Sequence, residues 1–278
     1  MSYQLIHTSA PRLMDSTSAG YGTVAMSEHL PHALRSKLGA LSVFREPRGG
    51  AATTGPQFSY HILDHAGKSW HVLSCVQPAG ADYSGRACHI AHHLVLTPEE
   101  VEAALADEQR PTPAGVALAL LNNGFWKGEW KSEPAYLTGE PELRPGDMPA
   151  ADAQPTWKLL TGHKANARAF FTHPYDRECL ITLPPGTPVQ QALGLLHESD
   201  WLTQTRGWGA SYTTAADDAD RGGAEGHRPQ SVRFQFCPSG QRLRCRFHPV
   251  LRSSQCRRFL CAGRGIGGVF VGKQLGFR

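Results

Sequence analysis

The sequence predicts an α+β domain with a mainly antiparallel or mixed sheet and several packed helices, followed by an irregular basic tail. Three observations lead to this fold class. Short runs of aromatic and branched residues are bounded by glycine or polar turns, as strands are. Helix start signals recur between these runs. A hydrophobic content of 40% in 278 residues is enough to bury a core.

Residues 56–96 carry the clearest strand signals. Segments 58–64 and 70–76 flank a short polar turn with Gly67, which predicts an antiparallel hairpin. A third strand, 88–96, follows a longer polar loop at 78–86, and loops of that kind often carry binding residues. Because side chains on a strand alternate between its two faces, we expect one face of this strand to lie in the core and the other to form a second face. The core face holds Cys88, Ile90, His92, Leu94 and Leu96, and the second holds His89, Ala91, His93 and Val95.

The N-terminal segments predict two strands and a helix. Strands are expected at 4–8 and 21–26, with a polar loop at 11–18 between them. A helix is expected at 31–41, because leucines recur there at three- and four-residue spacing after a proline in the first turn. Residues 45–56 are rich in glycine and proline and predict a flexible connection.

Two helix start signals follow the central strands. Thr97-Pro98-Glu99-Glu100 has the layout of a capping box and predicts a helix to about Ala106. Thr112-Pro113 begins a second, well buried helix that ends near residues 122–124. The remaining expectations are a strand or turn at 125–130, a surface loop at 134–155, helices at 157–171 and 187–198, strands at 177–183, 201–214 and 232–237, and a loop at 215–226.

Charge divides the chain into two parts. No acidic residue follows Glu225, whereas 11 Lys and Arg lie in 226–278, so residues 1–225 carry a net charge of −7. We therefore expect one domain over 1–237 and a basic Gly-, Arg- and Cys-rich tail over 238–278, either frameshifted or disordered. Such a tail could bind nucleic acid, but the acidic domain argues against it and we do not expect a nucleic-acid partner.

The expected compartment is the cytoplasm. The N-terminus lacks a basic and an apolar signal region, and no segment reaches the roughly 18 apolar residues of a membrane span. Seven scattered cysteines do not form a disulfide framework, so reduced thiols are expected.

The strongest metal candidate is His89-x-x-His92-His93. On a strand, however, the first and last of these histidines lie about 13 Å apart, too far for one ion. On a helix they could chelate, but Ile90 replaces the glutamate of the metalloprotease motif. A structural or hydrogen-bonding role is favoured over a metal site.

A Cys-His nucleophile using Cys75 or Cys88 is the second candidate, although a buried apolar thiol is the favoured interpretation. Other motifs are incomplete: 67–69 lacks the first glycine of a phosphate-binding loop, and 263–268 matches G-x-G-x-x-G without room for a βαβ unit. The spacing of Cys237, Cys245, Cys256 and Cys261 is not that of a zinc ribbon. No catalytic residue, cofactor or metal is predicted.

Ten short sequence blocks follow one another in a characteristic order. The blocks are residues 4–11, 20–25, 31–41, 58–60, 70–74, 82–83, 91–93, 124–126, 157–162 and 211–214. No single block is very specific, but their shared order is. This order resembles the N-terminal domain, second type, of bacterial GTPase-associated protein one, over about residues 3–237.

This resemblance implies a non-enzymatic adaptor or sensor of a GTPase-centred bacterial conflict (defence) system. Its implied partners are a separate GTPase and other conflict-system components, with no membrane. The family supplies no catalytic residues to carry over. The candidate partner-binding residues are Asp82, Tyr83, Arg86, His92 and His93. The alternative is a hydrolase that uses Cys88, His92, His93 or Asp82 around residues 78–93.

Overall fold

The fold was analysed in a computed structural model of the chain. The structure describes residues 2–45, 55–107, 111–139, 141, 148, 150–161, 179–183, 187–203, 208–209, 211–215, 232–238, 259–262 and 269–272. The described helices are α1 His32–Leu41, α2 Pro98–Ala106, α3 Pro113–Asn122, α4 Pro155–Thr161 and α5 Val189–Thr203. The described strands are β1 Tyr3–Ala10, β2 Gly20–Ser27, β3 Gln57–His65, β4 Lys68–Ala81, β5 Ala87–Leu96, β6 Ala135–Leu137, β7 Cys179–Leu183, β8 Ser211–Thr213, β9 Val232–Pro238, β10 Phe259–Ala262 and β11 Val269–Gly272.

Nine of these strands form one mixed sheet in the order β6-β2-β1-β5-β4-β3-β8-β9-β7. Within the run β2-β1-β5-β4-β3-β8 each pair of adjacent strands is antiparallel, whereas β2–β6, β8–β9 and β7–β9 are parallel pairs. Strands β10 and β11 form a separate antiparallel pair. The predicted α+β class with a mixed sheet and packed helices is confirmed.

Both faces of the central strands are covered. Helix α1 packs Leu34 and Leu38 onto one face, which we call the α1 face. Helices α2, α3 and α5 cover the opposite face, which we call the α3 face. Strand β5 is therefore buried on both sides, and the face predicted to be core is only one of two. The core residues of the α1 face include Leu5, Met26, Val72 and Val95, and those of the α3 face include Phe58, Tyr60, Leu73 and Leu94.

The turn between β3 and β4 follows from its two central residues. His65 pairs with Lys68, and Ala66 and Gly67 between them have φ of 52° and 72°. Two consecutive positive φ values are the signature of the tight type I′ turn, whose twist matches that of the flanking strands. The predicted hairpin is confirmed.

The predicted loop at 78–86 is wrong over its first half. Strand β4 continues to Ala81, and Ala81 pairs with Ala87, so only residues 82–86 lie outside the strands. The pairing register shifts between Pro78 and Ala81, and Gly80 within this shift has φ of 80°. This bulge accommodates the proline and glycine that suggested a loop.

Two helix starts agree with their sequence signals. The Thr97 hydroxyl accepts from the Glu100 backbone N–H, and the Glu100 carboxylate accepts from the Thr97 N–H. Helix α3 is capped by Thr112, and its residues 113–120 are all buried, as expected for the second helix. The reciprocal bonds between Thr97 and Glu100, and the single bond to Thr112, satisfy backbone N–H groups that the first turn of a helix leaves without partners.

Several other predictions need correction or lie partly outside the described residues. Residues 201–203 belong to helix α5, and among the described residues of the strand predicted at 201–214 only Ser211–Thr213 form a strand. The surface loop at 134–155 contains the short strand β6. The helix predicted at 157–171 begins at Pro155, and its residues after Thr161 are not described. Residues 46–54, 216–226 and most of the tail, including Cys245 and Cys256, also lie outside the described residues.

In the parts of the chain that the structure describes, no helix has the length and apolar character needed to cross a membrane.

Candidate functional site

A buried chain of hydrogen bonds lies between α1 and the sheet. At its centre the Ser42 hydroxyl contacts His7 Nδ1 at 2.9 Å and His93 Nε2 at 2.8 Å. His7 Nε2 lies 2.7 Å from the Thr23 hydroxyl, and His93 Nδ1 lies 2.8 Å from the Ser74 hydroxyl. These hydrogen bonds thus connect strands β1, β2, β4 and β5 with Ser42, the residue that follows α1. We call these five side chains the histidine-hydroxyl chain.

One further contact determines where the protons lie. Ser42 donates its only hydroxyl proton to the Leu38 carbonyl, at 2.9 Å. Its oxygen can then only accept from the two imidazoles, so His7 carries its proton on Nδ1 and His93 on Nε2. The other ring nitrogens accept from the Thr23 and Ser74 hydroxyls. Every contact in the chain is satisfied when both rings are neutral.

Burial keeps both rings neutral. His7 is 7% exposed and His93 is 0% exposed. Burial lowers the pKa of His7 to about 4, against a smaller opposing effect of Asp15. Burial also lowers the pKa of His93 well below its usual value, and His7, His92 and His61 lower it further. Neither ring carries a charge near neutral pH.

His92 points to the opposite face of β5. Its Nδ1 accepts from the Lys127 backbone N–H at 3.3 Å, and its Nε2 donates to the Gln4 side-chain oxygen at 3.2 Å. The His92 ring stacks on the Phe125 ring with 4.7 Å between their centroids, and it packs edge-to-face against Trp126 with 5.4 Å between centroids. Burial, with a smaller effect of the Lys127 charge, lowers the pKa of His92 to about 3.

The structure therefore separates His92 from His93, as alternation on a strand predicts. His89 and His93 share the α1 face, where His89 Nε2 donates to the Ser42 carbonyl at 3.0 Å. Both His92 and His93 are at most 1% exposed and are held by internal hydrogen bonds. Among the described residues, no group of three or more His, Cys, Asp or Glu side chains is arranged to hold a metal ion.

Cys75 and Cys88, the two thiols of the Cys-His nucleophile candidate, are held in the protonated form. Burial raises the pKa of the Cys75 thiol. Burial and the nearby Asp82 carboxylate raise the pKa of Cys88, against a smaller effect of Thr8. A thiolate nucleophile needs the opposite environment, with a positive charge or a base beside it.

Asp82 organises the turn between β4 and β5. Its Oδ1 accepts from the Ser84 hydroxyl at 2.7 Å, the Ser84 N–H at 2.8 Å and the Arg86 N–H at 2.9 Å. Its Oδ2 accepts from the Ser9 hydroxyl at 3.3 Å. The Ser84 hydroxyl bond is the largest of the effects that lower the pKa of Asp82 to about 2. Both carboxylate oxygens thus have partners inside the protein, within the turn and on β1.

Tyr83 and Arg86 project from this turn. Tyr83 is 48% exposed, and the Arg86 side chain is 74% exposed while it contacts Asp82 at 3.5 Å. Of the five predicted binding residues, these two are the ones that solvent reaches readily. The structure places Asp82 beside them and leaves His92 and His93 inside the sheet.

Sequence reasoning did not single out His7, Thr23, Ser42 or Ser74. These residues come from four separate elements, and none belongs to a motif with a fixed spacing. The signal that could have been used is weak: His7 and His93 both fall on strands as polar residues among apolar neighbours. Their common partner, Ser42, follows a helix with no sequence feature that marks it.

A family model described as GTPase-associated protein 1, N-terminal domain type 2, matches residues 1–143, just over half of the chain. The matched segment contains the histidine-hydroxyl chain and all five predicted binding residues. It ends before the blocks at 157–162 and 211–214 that also contributed to the resemblance. Searches of curated proteins and of solved structures returned no match.

Proposed function

The chain belongs to the family of GTPase-associated protein 1 N-terminal domains of type 2, and on this premise we propose that it is a non-enzymatic adaptor or sensor that docks a separate GTPase of a bacterial conflict system. The observation that carries the proposal is the family match over residues 1–143. Other components of the same defence system are the further partners that we propose.

The geometry supports a docking role over a chemical one. His92 and His93 are buried, neutral and bonded to groups of the fold, on opposite faces of β5. The nearby thiols are held protonated. Catalytic groups need access to a substrate and a pKa suited to proton transfer. These residues have the environment of a structural core.

We propose that the β4–β5 turn is the docking surface. Tyr83 and Arg86 are of residue types that carry much of the energy in protein interfaces. The three bonds to Asp82 Oδ1 hold the turn in one conformation, so less conformational entropy is lost when a partner binds. An exposed aromatic ring and a cation on a rigid turn suit a partner surface with an apolar pocket beside an acidic group.

Replacing both Tyr83 and Arg86 by alanine is expected to weaken binding of the GTPase at least about tenfold, because truncation of an interface hot spot, a class enriched in Tyr and Arg, costs about 2 kcal/mol or more. The chain is first used to capture the GTPase from the native host. The affinity of the purified pair is then measured by titration calorimetry for the original chain and the variant.

The matched control replaces Tyr136 and Lys131 by alanine. Tyr136 is 56% exposed, and the Lys131 side chain is 80% exposed and paired with Glu129, so this pair copies the type and exposure of the tested residues. The control is expected to bind normally. Equal affinity of the test variant would exclude the turn as the surface, whereas failure of the original chain to capture any GTPase would contradict the adaptor function itself.

A further inference from the structure

Four histidines lie on the α1 face of the sheet. His7, His89 and His93 each bond to Ser42, through its hydroxyl or its carbonyl. His61 faces the same side of β3 and is close enough to His93 to lower its pKa. The His7 and His93 ring centroids are 6.2 Å apart. Helix α1 therefore closes over two buried weak bases, His7 and His93, which must stay neutral to be buried together, with the half-buried His61 and His89 beside them.

The hydrogen bonds of this set favour the neutral rings. The contacts of His7 and His93 in the histidine-hydroxyl chain are all with hydroxyl groups, which do not balance a positive charge as a carboxylate does. Asp15 favours protonation of His7 through space but also contacts Arg35 at 3.7 Å. Among the described residues, further titratable or charged groups around this face include Tyr21 on β2, Lys37 on α1, Arg45 after α1, and His61 and His89 on the strands.

We propose that the α1 face is an acid-sensitive latch, in which uptake of protons by the buried histidines releases α1 and residues 42–45 from the sheet while the α3 face stays packed. A proton on His7 or His93 places a positive charge in the interior, and a second proton would meet the first at about the 6.2 Å between the rings. Release returns the rings to water. It also exposes the apolar side chains that α1 covers.

The helices on the two faces differ in how many of their side chains are buried, and buried apolar side chains oppose release of a helix from the sheet. Helix α1 buries two of its residues, Leu34 and Leu38, whereas α3 buries eight. Because burial of apolar surface is the main stabilising contribution, α1 is the easier helix to detach. On the α3 face, His92 is held by a backbone N–H and an amide oxygen and lies near the charge of Lys127.

The direction of the pH effect follows from the lowered pKa values. The closed form binds fewer protons than the open form, so closure is fully stable above the ordinary histidine pKa of 6.5 and weakens as pH falls toward the lowered value. For His7 the lowered value is about 4, which makes opening about 30-fold more favourable at about pH 5 than at about pH 7.5. Protonation of further histidines adds to this effect.

Amide hydrogen exchange on the full chain tests the latch. Protection factors, corrected for the intrinsic pH dependence of exchange, are compared at about pH 7.5 and about pH 5. We expect the amides of Leu34 and Leu38 to lose about 30-fold or more of their protection and to exchange at about pH 5 through an opening that leaves Leu118 and Leu120 better protected. Equal protection of α1 and α3 at about pH 5 would indicate global acid unfolding and would overturn the latch.

The variant His93→Gln supplies the second arm, because a glutamine amide keeps one donor and one acceptor but gains no proton near pH 5. It is expected to retain α1 protection at low pH better than the original chain. If the variant does not fold, nitrogen chemical shifts of the original chain decide the matter: His7 should carry its proton on Nδ1 and His93 on Nε2. A charged ring in the closed form at about pH 6 would overturn the proposal. None of these measurements requires the GTPase.

Discussion

Replacing Ser42 by alanine is expected to lower the free energy of unfolding by about 3 to 5 kcal/mol. Ser42 is 0% exposed, and its hydroxyl is the shared acceptor of the His7 and His93 N–H groups. Removing it leaves two buried donors without a partner, at about 1 to 3 kcal/mol each, and also removes the hydroxyl bond to the Leu38 carbonyl. Alanine is too small to bring another acceptor to the same place.

Urea denaturation at neutral pH, followed by circular dichroism, measures the change. The matched control is Ser69→Ala, because Ser69 also bonds through its hydroxyl, to Asp64 at 3.0 Å, but on the exposed turn side of the sheet. The control should change stability by less than about 0.5 kcal/mol. A loss below about 1 kcal/mol for Ser42→Ala would show that water or side-chain rearrangement satisfies the two imidazoles, so that Ser42 is not their essential acceptor.

The parts of the fold that the sequence predicts correctly are those fixed by short-range interactions. The Thr97 capping box bonds within one helical turn, and the Ala66-Gly67 turn depends on two backbone conformations. In both cases the residues that form the structure are adjacent in the chain. Local sequence is therefore sufficient to identify them.

The errors occur where distant pairing decides the structure. Gly80 and Pro78 indicate a loop when considered locally, but β5 pairs across them and a bulge accommodates them. Residues 135–137 contain no strand signal, yet they form β6 because β2 offers a free edge for a parallel pair. Helix α5 extends through 201–203, where aromatic and branched residues suggested a strand.

The candidate site shows the same limit. Alternation on β5 correctly predicts that His92 and His93 lie on opposite faces, because the period of a strand is two residues. Their burial follows from coverage of both faces of the sheet by helices and by the segment around Phe125, which alternation does not reveal. The hydroxyl partners of His93 are 51 and 19 residues away in sequence. Only the assembled sheet places them together.

Replacing Trp126 by alanine is expected to lower the free energy of unfolding by about 3 to 5 kcal/mol, as for other large aromatic residues in cores. Trp126 is 7% exposed. Its ring centroid lies 5.6, 5.1 and 5.4 Å from those of Phe58, Phe125 and His92. Alanine would leave a cavity between α3 and the sheet that these rings cannot fill, because His92 is held in place at both nitrogens.

The milder pair Trp126→Phe and Trp130→Phe separates packing from hydrogen bonding, because both replace an indole by a benzene ring. Trp126 Nε1 donates to the Ala117 carbonyl at 3.2 Å, whereas Trp130 Nε1 is buried with no hydrogen-bond partner in the part of the chain that the structure describes. Trp126→Phe removes a hydrogen bond and is expected to lower the free energy of unfolding by about 1 to 3 kcal/mol. Trp130→Phe removes a buried N–H group that makes no hydrogen bond, so the free energy of unfolding should fall by less. Urea denaturation of both variants gives the comparison. A larger loss for Trp130→Phe would show that indole volume, and not the bond to α3, decides how the segment around Phe125 is held over His92.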